Sequence, residues 1–92
     1  MSPSVPDEVR LDVYLALTRL IMPRGSAKRG CDNGIVAING RISKPAAPVR
    51  VGDDITIRFT DQDLRIRVVR LPVRSMRKSD AATYYTVLED KR

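Results

Sequence analysis

The sequence has no histidine. That removes the usual general base, the commonest metal ligand and the side chain that changes charge near neutral pH. Its single cysteine, Cys31, can form neither an internal disulfide nor a cysteine-rich zinc site, and a lone thiol fits a reducing compartment. No stretch approaches the run of about eighteen apolar residues that a membrane-spanning helix needs. The opening Met1-Ser2-Pro3-Ser4-Val5-Pro6-Asp7-Glu8 has neither the basic nor the apolar region of a signal peptide. The expectation is a cytoplasmic protein.

What is present is short and basic. Ninety-two residues make one small domain, with no room for a catalytic domain beside a binding domain. Such a chain buries only about 60–65% of its extended surface on folding. With 42% hydrophobic and 30% charged residues it has the composition of a folded protein. Seventeen Lys and Arg against eleven Asp and Glu leave a net charge of +6. That excess points to a polyanionic partner: RNA, DNA or an anionic membrane surface.

Along the chain, residues 1–8 read as a loose leader. Ser4 or Asp7 can cap a first helix that runs to about Met22, where Pro23 helps to stop it. Leu11, Tyr14, Leu15, Thr18, Ile21 and Met22 form its apolar stripe, with Arg10, Asp12 and Arg19 largely off it. A second helix fits Arg24 to about Asn33, closed by Asn33-Gly34, with Ala27 and Cys31 facing inward. Gly25 and Gly30 each weaken that helix by about 1 kcal/mol relative to alanine.

From Ile35 the period shortens. Ile35-Val36-Ala37-Ile38, then Asn39-Gly40, then Arg41-Ile42-Ser43-Lys44 predicts a hairpin with a type I′ turn. Gly52-Asp53 is a turn. Ile55, Ile57 and Phe59, and after a second turn Leu64, Ile66 and Val68, alternate with polar residues as half-buried strands. Val68-Val69 breaks the alternation and suggests a bulge or strand end. Pro72 closes the regular pairing, Arg74 to Lys78 make a basic linker, and Ala81, Tyr84, Tyr85 and Leu88 lie at helical spacing. The expectation is therefore one α+β domain: two N-terminal helices packed on a small antiparallel sheet over residues 9–71, then a basic linker and a C-terminal helix over 72–92.

The basic residues carry most of the functional signal. Thirteen are Arg and four are Lys, and Arg presents a planar fork that grips phosphate bidentately. A coding bias toward arginine or a merely solvated face would give the same count, so position matters more. Arg24, Lys28 and Arg29 fall in the first turns of the second helix, where free backbone N–H groups favour anions. Arg19 ends the preceding helix, and Arg41 and Lys44 follow the hairpin turn. Helices packed against the hairpin would make these one basic face.

Arg10-Leu11-Asp12, Leu15, Pro23-Arg24-Gly25-Ser26-Ala27-Lys28, Gly34-Ile35-Val36-Ala37-Ile38-Asn39-Gly40-Arg41 and Val51-Gly52-Asp53-Asp54-Ile55, in that order, resemble the alpha-L RNA-binding domain. That module is shared by ribosomal protein S-four, pseudouridine synthases and tyrosyl-tRNA synthetases. The tail through Ala81 to Leu88 is similar to the branch containing heat-shock protein fifteen and RqcP, with Leu20-Ile21 and Thr56-Ile57-Arg58-Phe59 closer to RqcP. The resemblance implies a non-enzymatic factor of ribosome-associated quality control, without cofactor or metal. It would bind 23S ribosomal RNA and peptidyl-tRNA on obstructed large subunits and support C-terminal tailing of stalled chains beside an RqcH-type factor. The alternatives are a recycling factor of the heat-shock protein fifteen type and a stand-alone accessory of an RNA-modifying enzyme.

Carried over by position, the resemblance implies RNA contacts by Arg10 and Arg24, with Lys28, Arg19 and Arg41 on positions that are basic in such domains. Asp12 matches the motif acid and would orient a nearby Arg. Pro23 departs from the family pattern, and Gly30 and Cys31 replace a larger apolar pair, so the second helix is expected to be loose until RNA binds. Cys31 and Tyr14 read as core residues, and Tyr84 and Tyr85 as anchors of the terminal helix. Asp53, Asp54, Asp61 and Asp63 read as turn chemistry rather than a metal site. Arg58, Arg65 and Arg67 share one solvent face and fit equally a second RNA patch or protection against edge pairing. No extra apolar face is evident, and a monomer is expected.

Overall fold

Alternating β-branched and charged residues organise the chain around one antiparallel sheet. The computed structural model describes residues 8–71 and 83–91. Its elements are β1 (Val9–Arg10), α1 (Leu11–Leu17), α2 (Arg24–Asp32), β2 (Val36–Ile38), β3 (Arg41–Ile42), β4 (Pro48–Val49), β5 (Asp54–Arg58), β6 (Asp63–Val68) and β7 (Tyr85–Lys91). Five strands form a sheet in the order β3-β2-β5-β6-β7, and β1 pairs with β4 in a separate ribbon.

Register puts the β-branched residues on one face. Val36 lies opposite Ile57, Ile38 opposite Ile55, and Ile55 opposite Ile66. The two helices cover that face, and Leu11, Tyr14, Leu15, Ala27 and Cys31 join Val36, Val49, Ile55, Ile57, Ile66 and Val68 in one buried cluster. Burial also pushes the Cys31 thiol up to about 11, with the charges of Asp12 and Asp32 adding to it, so Cys31 is an unreactive core residue.

The turns follow their local chemistry. Asn39 and Gly40 both have positive φ, at 51° and 85°, as a two-residue hairpin loop requires. After α2, Gly34 takes φ 77° while its N–H bonds the Cys31 carbonyl and the Ile35 N–H bonds that of Gly30, a Schellman closure. Gly30 has a packing reason: a Cβ there would sit 3.3 Å from Ile35 Cδ1.

Four expectations change. The first helix starts at Leu11, because Val9 and Arg10 pair with Val49 and Pro48 instead; Ser4 and Asp7, the expected caps, lie outside the described residues. It ends at Leu17 rather than Met22. The Thr18 hydroxyl bonds back to the Tyr14 carbonyl at 2.7 Å, and Arg19 turns left-handed at φ 63°, which leaves Met22 53% exposed. Asp12, expected off the apolar stripe, is buried.

The largest change is at the C-terminus: residues 85–91 are a strand, not a helix. Tyr85 lies opposite Val68 and Val87 opposite Ile66, so an unsatisfied sheet edge outweighed weak helical spacing in a segment of aromatic and β-branched residues. The strand end expected near Val68-Val69 is there, since β6 closes at Val68; the bulge lies earlier, between Arg65 and Ile66, where Leu88 is the extra residue on β7. The leader through Asp7 and the basic linker Arg74 to Lys78 lie outside the described residues.

The Tyr84 carbonyl fastens β7 to the domain. It accepts the Tyr14 hydroxyl at 3.1 Å and the N–H of Val69 at 2.9 Å, while the Arg70 guanidinium stacks on the Tyr84 ring, 4.4 Å from its centre. Tyr14 thus ties α1 to the terminal strand. Tyr14→Phe should lower stability by about 1 kcal/mol, the net value of one buried hydrogen bond, in an equilibrium urea melt. A loss of about 4 kcal/mol would mean that the hydroxyl does more than this bond.

Candidate nucleic-acid interface

A buried carboxylate next to a basic cleft is the most specific polar feature of the molecule. Asp12 stands in the first turn of α1 and is only 1% exposed. Its Oδ1 accepts the Val13 backbone N–H at 2.8 Å. Arg10, just before the helix, reaches both carboxylate oxygens with a two-pronged fork, Nε to Oδ1 and Nη2 to Oδ2, each at 3.1 Å. Arg24, at the start of α2, brings its Nε to 3.5 Å from Oδ2. One carboxylate therefore fixes two guanidinium groups that arrive from different elements.

Burial alone would push the Asp12 carboxyl up. The Arg10 hydrogen bonds, the charges of Arg10 and Arg24 and the Val13 N–H outweigh that and hold it below its ordinary value. Asp12 is thus a permanent anion at neutral pH. Arg10 and Arg24 remain about half exposed. Arg24 approaches Asp12 through its Nε, and its fork makes no hydrogen bond with another described residue.

Lys28 follows one turn along α2, and Arg10, Asp12, Arg24, Gly25 and Lys28 line a shallow surface cleft. A Cβ at Gly25 would meet nothing within 4 Å, so the floor of the cleft is open to solvent. An exposed cleft with three cations, over a carboxylate that is already satisfied, suits phosphate oxygens approaching from solvent. Asp12 aims the arginines without occupying the outward side of the cleft.

The other expected residues divide. Arg29 is exposed in the last turn of α2. Arg19 is exposed between the helices, its Nη1 3.3 Å from the Met22 sulfur. Arg41 and Lys44 are exposed on the hairpin and do not line the Asp12 cleft. The single basic face expected from the sequence is thus a cleft on the helices plus separate cations on the hairpin. Arg19, Lys28, Arg29, Arg41 and Lys44 form no ion pair with another described residue.

Arg65 and Arg67 share one carboxylate. Asp54 accepts Arg65 Nη2 at 3.0 Å and Arg67 Nε at 2.9 Å, and these bonds hold its carboxyl below the usual range. Asp53 serves the turn: its carboxylate takes the Arg50 N–H at 2.8 Å and the Asn39 side-chain amide at 3.1 Å. Sequence reasoning missed Gly25 as a cleft residue because it weighed that glycine only as a weakness of the helix. It missed the Asp54 clamp, although the alternation of Asp54, Arg65 and Arg67 about a shared turn carried that signal.

The S4 domain family matches residues 9–55. The RQC P-site tRNA stabilizing factor of Listeria innocua is 37% identical over 84 residues, covering 91% of this chain and 90% of the relative. The protein of the same name from Bacillus subtilis is 36% identical and covers 91% and 96%. Among solved structures, a trimeric Vibrio cholerae heat shock protein 15 superposes with a TM-score of 0.78 at 30% identity, covering 87% of this chain and 81% of that one.

The Asp12 pairs make a pH prediction. A carboxyl held low in the folded state stabilises the fold fully above its unfolded value near 4, and that contribution is lost as pH falls through the folded value. Because both arginines are half exposed, Asp12→Asn should cost only about 1–2 kcal/mol at pH 7. In urea melts the gap between native protein and variant should close as the pH falls through and below the ordinary carboxylate range. A gap that does not change with pH would show that Asp12 carries no such charge.

Proposed function

This chain belongs to the S4-domain family of RQC P-site tRNA stabilizing factors, and from that premise we propose that it is a non-enzymatic, ribosome-associated cytoplasmic protein of bacterial quality control. It binds 23S ribosomal RNA and peptidyl-tRNA on large subunits still obstructed by a stalled chain. By holding the tRNA in place it supports C-terminal tailing by an RqcH-type partner. The observation that carries this reading is the cleft of Arg10, Arg24 and Lys28 set by the buried Asp12, in a chain with a net charge of +6.

The mechanism is electrostatic positioning. Arg24 and Lys28 neutralise backbone phosphates, Arg10 adds a fork already fixed by Asp12, and Arg19, Arg29, Arg41 and Lys44 extend the positive field around the domain. Folded RNA is recognised by the placement of its phosphates rather than by a base sequence, which suits a surface of fixed cations without base-reading groups. Pre-fixed guanidinium groups lose less freedom on binding than free side chains would. A second reading, recycling of blocked large subunits, is favoured by the structural match to heat shock protein 15. It uses the same cleft and differs in whether tailing follows.

Equilibrium binding to purified large subunits that carry peptidyl-tRNA tests the proposal. Arg24→Ala should weaken binding about tenfold or more and reduce the slope of log affinity against log salt by about 1, with only a small fall in the thermal melt because Arg10 still pairs with Asp12. Equal affinity and equal slope in this variant would remove the cleft from the interface.

Arg19 gives a sharper contrast. It holds a left-handed backbone where a helix usually places glycine, and its N–H closes α1 on the Ala16 carbonyl at 3.1 Å. Arg19→Gly should therefore raise stability by about 1 kcal/mol in a thermal melt while lowering affinity for the same subunits. A stabilised variant with full affinity would assign Arg19 to the turn alone.

A further inference from the structure

The helices cover one face of the five-stranded sheet, and no other described element covers the opposite face. Register defines the residues there: Ile42 lies opposite Ala37, Ala37 opposite Thr56, and Thr56 opposite Arg65. Within this row the structure has a concavity lined by Gly34, Ile35, Ala37, Gly40, Ile42, Thr56 and Arg58. Glycine, alanine and threonine make a low floor. Ile42, 72% exposed, stands as an apolar wall.

The charge at this concavity is uneven. Asp54 pairs with both Arg65 and Arg67 on the same face. Arg58, the one charged residue in the lining, forms no ion pair with another described residue, although Asp63 lies opposite it in register. No acidic residue lines the hollow. At its other end the lining residues Gly40 and Ile42 flank Arg41, which also forms no ion pair with another described residue. A hollow with apolar walls, a free guanidinium and no carboxylate is complementary to a flat ring joined to an anionic group, which is the chemistry of a nucleotide.

We propose that this hollow is a second RNA contact, receiving one unstacked nucleotide with its base against Ala37, Thr56 and Ile42 and its phosphate on Arg58. The inference rests on the RNA-binding reading above and deepens it. Because the Arg10, Arg24 and Lys28 cleft lies with the helices and this hollow lies across the sheet, the domain stands between two RNA segments and bridges them. That accounts for the division of the expected basic residues into helix-borne and hairpin-borne groups. An acidic, apolar protein segment is the competing occupant.

Photo-crosslinking of the full chain to peptidyl-tRNA-bearing large subunits separates these outcomes. Benzoylphenylalanine is placed at Ile42 in one variant and at Asp32, one turn past Lys28 on α2, in another. The proposal expects RNA adducts from both positions, mapping to different RNA segments. It also expects Arg58→Glu to weaken binding about tenfold without changing the thermal melt. RNA adducts from Asp32 with only protein adducts, or none, from Ile42 would overturn the second contact and leave the proposed function standing. The same holds for an Arg58→Glu variant that binds as tightly as the native chain. Absence of RNA adducts from both positions would overturn the RNA-binding reading itself.

Discussion

The buried Asp12 carboxylate is the constraint on which the basic cleft depends. A carboxylate this deep is costly unless its charge is answered, and the answer comes from Arg10 before α1, Arg24 at the start of α2 and the Val13 N–H. Satisfying one anion thereby fixes the relative placement of the first helix, the second helix and the β1 ribbon. It also fixes where two cations emerge. The same contacts that stabilise the fold locally give the cleft its shape, so binding requires little rearrangement of the arginines.

A second set of contacts holds the sheet to those helices. Tyr14 is fully buried and reaches across to the Tyr84 carbonyl, so the strand farthest in sequence is bonded to the helix that carries Asp12. Between them lie Ile55, Ile57 and Ile66, whose alternation gives the sheet one buried and one open face. An amphipathic sheet with helices on one side leaves its other side available. The open face here is not uniformly charged. Most of its cations are paired with Asp54, which leaves Arg58 to give the hollow beside Ile42 its sign.

Much of this was legible in the sequence where chemistry is local. Asn39-Gly40 specifies its turn because both residues must accept positive φ, and Asn33-Gly34 closes α2 for a related reason. Ala27 and Cys31 are buried as their four-residue spacing requires. The terminal strand was not legible, because its state is decided by the free edge of β6, about twenty residues away, rather than by the spacing of Tyr84, Tyr85 and Leu88. Met22 was misplaced for a similar reason: Arg19 turns left-handed and takes the apolar stripe off its helical course. The site showed the same division. Arg10, Asp12 and Arg24 came from motif position, whereas the Asp54 clamp and the Ile42 hollow exist only once strands are in register.

The central claim is that the positive surface set by Asp12 holds this domain on RNA of obstructed large subunits. Sucrose-gradient sedimentation of cell lysate, at low and raised salt, tests it most directly. The protein should peak with large subunits, and that peak should grow when translation stalls, weaken with salt as phosphate-dominated binding must, and fall when peptidyl-tRNA is released. Recovery of the protein only in the free fractions, at every salt concentration and during stalling, would contradict it.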